Sequence, residues 1–215
     1  RAIPNIKKIL VFTSDKVYSN IEKKTLTENS KLGGLDPYSA SKSSQDIISQ
    51  SYKFSFLSKK KLIILRSGNI IGGGDWADNR IIPDIIRSHL YNKVLKIRSI
   101  NSTRPWIHIF DVLNAIILLL TKTKFKNNQN LIFNLSPKIK KQVSVKKILN
   151  MVFKHTNIKE LKVKNVKSNI KEKKYLHISS KKAFKELRWV TKLDLKKALN
   201  LTINFYLLNK NKIYV

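Results

Sequence analysis

Cysteine is absent from the 215 residues, which excludes a disulfide framework and any thiolate nucleophile or ligand. A reducing, cytoplasmic setting is the expectation. Acid is scarce too: 13 acidic residues face 44 basic ones, a formal net charge of +31. Such an excess invites a nucleic-acid partner, because phosphate backbones bind basic surfaces by releasing counterions. Arginine, however, is nearly missing from that excess, since lysine supplies 37 of the 44 basic residues. Base readers depend on arginine's planar fork, and the chain has no zinc-finger spacing, RNP-type signature or glycine-rich RNA loop. Residues 121–215 carry a net charge of +21 spread along their length and not gathered into one block. A solvated lysine surface with no nucleic-acid partner is therefore preferred, with a basic nucleic-acid-binding module as the alternative.

Long apolar runs are also missing. The longest, Ala115 to Leu120, is far too short to span a bilayer, and no charged-then-apolar leader pattern opens the chain, so no membrane partner is expected. The histidines His89, His155 and His177 lack metal-ligand spacing, and His108 with Asp111 reads as a structural pair, so no metal site is expected. Glycine is limited to six residues, from which neither Gly-x-Gly-x-x-Gly nor Gly-x-x-Gly-x-x-Gly can be assembled. A dinucleotide-binding sheet in this chain would thus lack its phosphate-binding turn, and with it the first strands.

What remains reads as alternating α/β structure. The short continuous apolar runs Ile9 to Phe12, within a strand from Ile6, and Leu62 to Leu65 suit strands buried on both faces of a parallel sheet, and Leu131 to Leu135 reads as a further strand. Helices are expected from Pro37 to about Leu57, over Ile81 to Leu90, Phe110 to Leu120, Ser144 to His155, Ser180 to Leu187 and Leu193 to Leu207, with a polar loop over Glu22 to Asp36 and further strands at Val94 to Ile97 and Lys162 to Val166. The fold class is α/β: the C-terminal half of a Rossmann-like doubly wound parallel sheet, residues 1–70, joined to a smaller α/β substrate-binding lobe, residues 71–215.

The stretch around which the chemistry gathers is Asp36-Pro37-Tyr38-Ser39-Ala40-Ser41-Lys42. Asp36 is a good N-cap and Pro37 a good first helical residue, which puts Tyr38 and Lys42 four apart on one face. A phenol titrates near ~10, and working as a base near neutrality needs about 4 kcal/mol of help; one ammonium at roughly 4 Å and an effective dielectric of about 20 supplies that much. Alone, Tyr-x-x-x-Lys more often marks a solvated face. Upstream, Thr13-Ser14-Asp15-Lys16 follows the first strand, at the sheet edge where ligands bind in open α/β folds. The helix from Pro37 is expected to bury Ile48, Tyr52 and Phe56 as its apolar stripe. Three glycines, Gly72-Gly73-Gly74, suit a close approach of backbone to ligand or a sharp turn.

Thr13 through Tyr18, Gly33 through Lys42, Arg66 through Trp76, Arg80 through Asp84 and Arg104-Pro105-Trp106 together resemble the extended short-chain dehydrogenase/reductase superfamily, and within it the branch of CDP-glucose 4,6-dehydratases. The resemblance covers most of the chain. It implies NAD as cofactor, CDP-glucose as the nucleotide-sugar substrate, and a homo-oligomer when the protein is full length. Tyr38 with Lys42 would then remove the sugar O4 proton and contact NAD, Ser14 would hydrogen-bond O4, and Asp15 would protonate the departing C6 hydroxyl. Lys16 stands where many related dehydratases carry Glu, and would serve as base at C5 if its ammonium is brought near another cation. Asn69, Arg80 and Arg104 match positions near the substrate diphosphate. Another nucleotide-sugar epimerase or dehydratase of the superfamily remains the alternative. One departure is Arg188, where relatives place Gly before Trp at a helix end.

Overall fold

The apolar runs of the N-terminal half become strands that extend into their polar flanks. In the computed structural model, which describes residues 3, 5–19, 24–121, 125, 131–138, 143–156, 158, 161–166 and 175–209, β1 is Lys8–Ser14 and β2 is Lys61–Ser67. They pair in parallel in unbroken register, so that Thr13 lies opposite Arg66 and Ser14 opposite Ser67. Thr13 and Ser14, expected just beyond the strand, are therefore its last residues. Glu22 and Lys23 of the expected loop lie outside the described residues. β7 (Ile132–Leu135) joins the far side of β2, giving the parallel order β1-β2-β7.

Period-two alternation sends β2 side chains to both faces of this sheet. Ile63 and Leu65 join Phe133 and Leu135 in a core with Val112, Ala115 and Leu119 of α3 (Ile109–Thr121) and Ala183, Leu187 and Trp189 at α5 (Lys181–Leu187). Leu62 and Ile64 pack instead with Leu57 and Ile132. α1 spans Pro37–Phe56, within one residue of the expected helix.

One expectation for α1 is overturned. Ile48, Tyr52 and Phe56 are 56%, 54% and 46% exposed, and the helix buries Ser39, Ser43 and Asp46. Tyr52 and Phe56 stack edge to face with each other, ring centroids 5.4 Å apart, on the outside. Small polar side chains win the inner face because each finds a partner there: the Ser43 hydroxyl donates to the Val17 carbonyl at 2.8 Å and Asp46 meets Arg66. Helical periodicity identifies a stripe but does not say which stripe faces the sheet.

The C-terminal region gathers around a second core. β3 (Ile70–Ile71) pairs in parallel with β6 (Ile107–His108), β4 (Leu95–Ile97) in parallel with β9 (Val163–Asn165), and β5 (Thr103–Arg104) antiparallel with β8 (Val143–Ser144). Around them pack α2 (Ile81–Leu90), α4 (Val145–Thr156) and α6 (Leu195–Leu208), through Ile82, Ile85, Ile86, Ile148, Val152, Leu199, Ile203 and Tyr206. No described helix is long and apolar enough to cross a membrane.

Candidate active site

The tyrosine is placed by the start of its helix. Asp36 caps α1 as the sequence predicts, accepting from the Ser39 amide at 3.0 Å and from the Ser39 hydroxyl at 2.5 Å. Pro37 follows in the first turn, which sets Tyr38 and Lys42 one turn apart. The Lys42 ammonium lies 6.0 Å from the centre of the Tyr38 ring and donates to the Gln45 side-chain carbonyl at 3.3 Å. Tyr38 is 46% exposed, open to an incoming ligand.

The strand end supplies the other half. Ser14 caps a 3-10 turn, Asp15–Val17, accepting from the Lys16 amide at 3.2 Å and donating its hydroxyl to the Asp15 carboxylate at 3.1 Å. Asp15 is almost wholly buried, while Lys16 reaches outward until its ammonium stands 5.4 Å from the centre of the Tyr38 ring. The phenol thus has an ammonium from its own helix and another from the strand end. The structure brings Ser14, Asp15, Lys16, Tyr38 and Lys42 into one neighbourhood at the C-terminal edge of the sheet.

Of the three residues expected at the diphosphate, two are neighbours. The Asn69 carbonyl accepts from the Ile107 amide at 2.9 Å, and a Cβ on Gly68 would come within 2.5 Å of Pro105, so the segment after β2 lies directly on Arg104-Pro105-Trp106. Arg104 is 5% exposed and donates to the Thr103 carbonyl at 2.8 Å. Arg80 stands at the start of α2, its largely exposed guanidinium 3.9 Å from the Asp75 carboxylate.

The glycine triplet has a packing role that sequence reasoning missed. Gly73 lies against the Phe205 ring so closely that any Cβ would collide with it. Tyr206 follows on the same helix and donates to the Asp75 carbonyl at 2.7 Å, while Trp76 stacks on it edge to face with centroids 4.7 Å apart. The triplet therefore lets α6 seat against this loop.

Behind the site lies a buried polar cluster that the sequence did not disclose. Arg66 and Asp46, 1% and 0% exposed, form a two-pronged ion pair with both contacts at 2.7 Å. Burial opposes the charge on Arg66, but hydrogen bonds and charge from Asp46 and Tyr18 outweigh it and hold its pKa above the ordinary value. Arg66 also donates to the Tyr18 hydroxyl and to the Glu28 carbonyl, both at 3.0 Å, and Tyr18 donates to the Asn134 side-chain carbonyl at 2.6 Å. Burial pushes the Tyr18 phenol up to about 12 against the opposing pull of Arg66, so it remains a neutral donor. The available signal was Asp46, a lone acid one turn beyond Lys42 in a serine-rich helix.

The NAD that the resemblance implies can be tested against these residues. Ser67, in register with Ser14 at the strand edge, is buried with its hydroxyl unpartnered among the described residues. That hydroxyl, opposite Ser14 at the edge where Tyr38 and Lys42 gather, is a free polar contact of the kind the nicotinamide amide would need. The pyrophosphate end finds no glycine-rich turn in this sequence.

Comparison with known proteins fits this geometry. The model of the NAD dependent epimerase/dehydratase family matches residues 1–136. The CDP-glucose 4,6-dehydratase of Salmonella typhimurium is 39% identical over 127 residues, 55% of this chain and 35% of that protein. The dTDP-D-glucose 4,6-dehydratase of Dictyostelium discoideum is 32% identical over 138 residues, 59% of this chain and 31% of that protein. The chain thus matches about a third of the length of these relatives. Among solved structures, the dTDP-glucose 4,6-dehydratase of Bacillus anthracis in complex with NAD aligns with a TM-score of 0.81 at 22% identity, over 95% of this chain and 63% of that one. The UDP-glucuronic acid 4-epimerase of Bacillus cereus in complex with UDP-glucuronic acid and NAD aligns with a TM-score of 0.82 at 22% identity, over 94% of this chain and 62% of that one. At such identities the likeness establishes a shared fold.

Proposed function

Since the chain belongs to the NAD dependent epimerase/dehydratase family, we propose that it carries the proton-handling half of a nucleotide-sugar 4,6-dehydratase acting on CDP-glucose. The observation that carries the reading is that the Lys42 and Lys16 side-chain nitrogens lie 6.0 Å and 5.4 Å from the centre of the Tyr38 ring, with Ser14 and Asp15 on the strand end that carries Lys16. NAD, when bound, would take hydride from the sugar C4, which makes the neighbouring C5 proton acidic, and would give that hydride back at C6 once water has left. Tyr38, as a phenolate held by the Lys42 ammonium, takes the O4 proton. Ser14 holds O4 by a hydrogen bond. Lys16 removes the C5 proton and returns it to C5 when the hydride reaches C6, and Asp15 protonates the C6 hydroxyl as it leaves as water.

Lysine at position 16 is also what favours CDP-glucose over its relatives, because the branch that acts on other nucleotide sugars places a carboxylate there. Asn69 and Arg104, on adjoining segments, hold the substrate diphosphate, with Arg80 reaching it from the start of α2. The test is to incubate the intact protein and NAD with CDP-, dTDP-, UDP- and GDP-glucose and to assay for the 4-keto-6-deoxy product. Product from CDP-glucose alone is expected. Product from another sugar nucleotide instead would move the substrate assignment, and no product from any, combined with salt-sensitive retention on duplex DNA, would replace the enzyme by a basic binding module.

A further inference from the structure

The residues assigned to proton transfer sit on two separate elements, β1 with its turn and α1, and something must hold these in register. We propose that the Arg66–Asp46 pair is a positioning clamp that sets where Tyr38 stands relative to Lys16, Ser14 and Asp15. This inference rests on the reading of those residues given above.

The clamp touches every element that builds the site. Asp46 belongs to α1, two turns along the ridge that carries Tyr38 and Lys42, and its two carboxylate oxygens accept the Arg66 fork at 2.7 Å each. A second contact comes from β1: the Thr13 hydroxyl, next to Ser14, donates to the same carboxylate at 3.3 Å. Gln50 donates to it from one turn further along α1, at 2.7 Å. Arg66 is on β2, and its remaining nitrogen spans to Tyr18, just past the turn that holds Asp15 and Lys16, and to the backbone of Glu28. Glu28 in turn accepts the Asn134 amide of β7 at 2.8 Å. One buried pair therefore ties helix, strand end, turn and both neighbouring strands.

Its leverage follows from helix geometry. Eight residues separate Asp46 from Tyr38, a span of about 12 Å at a rise of about 1.5 Å per residue. A tilt of α1 by about 5° about Asp46 would carry Tyr38 roughly 1 Å, and a misplacement of about 1 Å can cost on the order of 100-fold in rate. A fork-to-carboxylate contact resists such a tilt because two parallel hydrogen bonds fix direction as well as distance. An apolar pair of similar volume would fill the same space without fixing the angle.

The intact protein is compared with two variants. Asp46→Leu/Arg66→Met removes the pair as a unit and strands no buried charge; Arg66→Lys keeps the charge and loses the fork. In both, kcat is expected to fall about 100-fold with KM within about threefold of the parent, at temperatures well below each variant's own melting point. NMR cross-peaks between the Tyr38 ring and the Lys16 side chain, expected in the parent, are expected to vanish. Variants that fold and keep kcat together with those cross-peaks overturn the clamp, as does a rise in KM at unchanged kcat, or a parent that shows no such cross-peaks. Should the parent convert no nucleotide sugar, the proposed reaction fails by itself, and the cross-peaks alone decide the clamp.

Discussion

At the scale of single residues, the proposed chemistry reduces to a few groups whose removal has opposite signatures. Tyr38 is 46% exposed, and removing its hydroxyl leaves the ring in place. Tyr38→Phe is therefore expected to lower kcat by about 100-fold or more while leaving the thermal midpoint within a degree or so of the parent. Asp15 is buried and bonded to Ser14. Asp15→Asn keeps its shape and its acceptor oxygen but cannot donate a proton as a carboxylic acid does, so turnover is expected to stop at an accumulating 4-keto intermediate. Mass spectrometry of the sugar nucleotide would reveal a keto species still bearing its C6 hydroxyl; none, with normal product formed, would remove Asp15 from the mechanism. Spacing alone singled out Tyr38 with Lys42, and the resemblance to the short-chain dehydrogenase/reductase superfamily added Ser14, Asp15 and Lys16. That Lys16 leans over Tyr38 was not legible, because side-chain reach across two elements leaves no mark on one-dimensional spacing.

At the scale of elements, helix ends follow local rules and helix faces follow partners. The cap at Asp36 was legible because its side chain bonds within three residues. The end of α5 at Leu187 was expected, but the ending itself was not settled by Arg188, where the resemblance implies Gly: Arg188 keeps the left-handed stop at φ 56° and ψ 23°, with its amide bonded to the Phe184 carbonyl at 2.9 Å. The Trp189 amide closes on the Ala183 carbonyl at 3.3 Å, completing a helix stop that glycine adopts without strain. Arg188→Gly is accordingly expected to stabilise the protein by about 1 kcal/mol, raising the melting temperature by roughly 2–4 °C for a chain of this size; calorimetry showing no rise would mean that the arginine carries compensating contacts. Face selection in α1 escaped prediction for the complementary reason. Ser39, Ser43 and Asp46 are worth burying only because Val17 and Arg66, distant in sequence, come to meet them.

At the scale of the whole molecule, two properties follow from how the elements assemble. His108 is buried at the end of β6, immediately before α3, and burial lowers its pKa below the ordinary 6.5, with the nearby Asp111 carboxylate opposing. Below pH 6.5 the unfolded chain then binds more protons than the native state, so this contribution is full above that pH and is lost as the pH falls toward the folded value. Urea unfolding between pH 7.5 and 5 is expected to show falling stability, with a shallower slope in His108→Gln; equal slopes would clear His108. The homo-oligomer that the resemblance implies would be expected to meet along α1, where Ile47, Ile48, Tyr52 and Phe56 lie about half exposed. Replacing Ile48 and Tyr52 by Glu is expected to convert the intact protein to monomers in light scattering at an unchanged melting temperature, and an unchanged mass would place the contact elsewhere. The sequence alone determined the α/β class, the buried parallel strands β2 and β7, the capped helix bearing Tyr38 and Lys42, and the want of a glycine-rich phosphate turn, because each is written in neighbouring residues or in composition; β1, expected to be buried on both faces, is only half-buried from Lys8 to Phe12 because it has a paired strand on one side alone among the described residues. Only the tertiary structure decided which face of α1 is inside, that Gly73 makes room for Phe205, and that Asp46, Arg66 and Tyr18 form one cluster. Those outcomes depend on contacts between residues from about 20 to more than 130 positions apart, whose worth exists only once the chain has closed on itself.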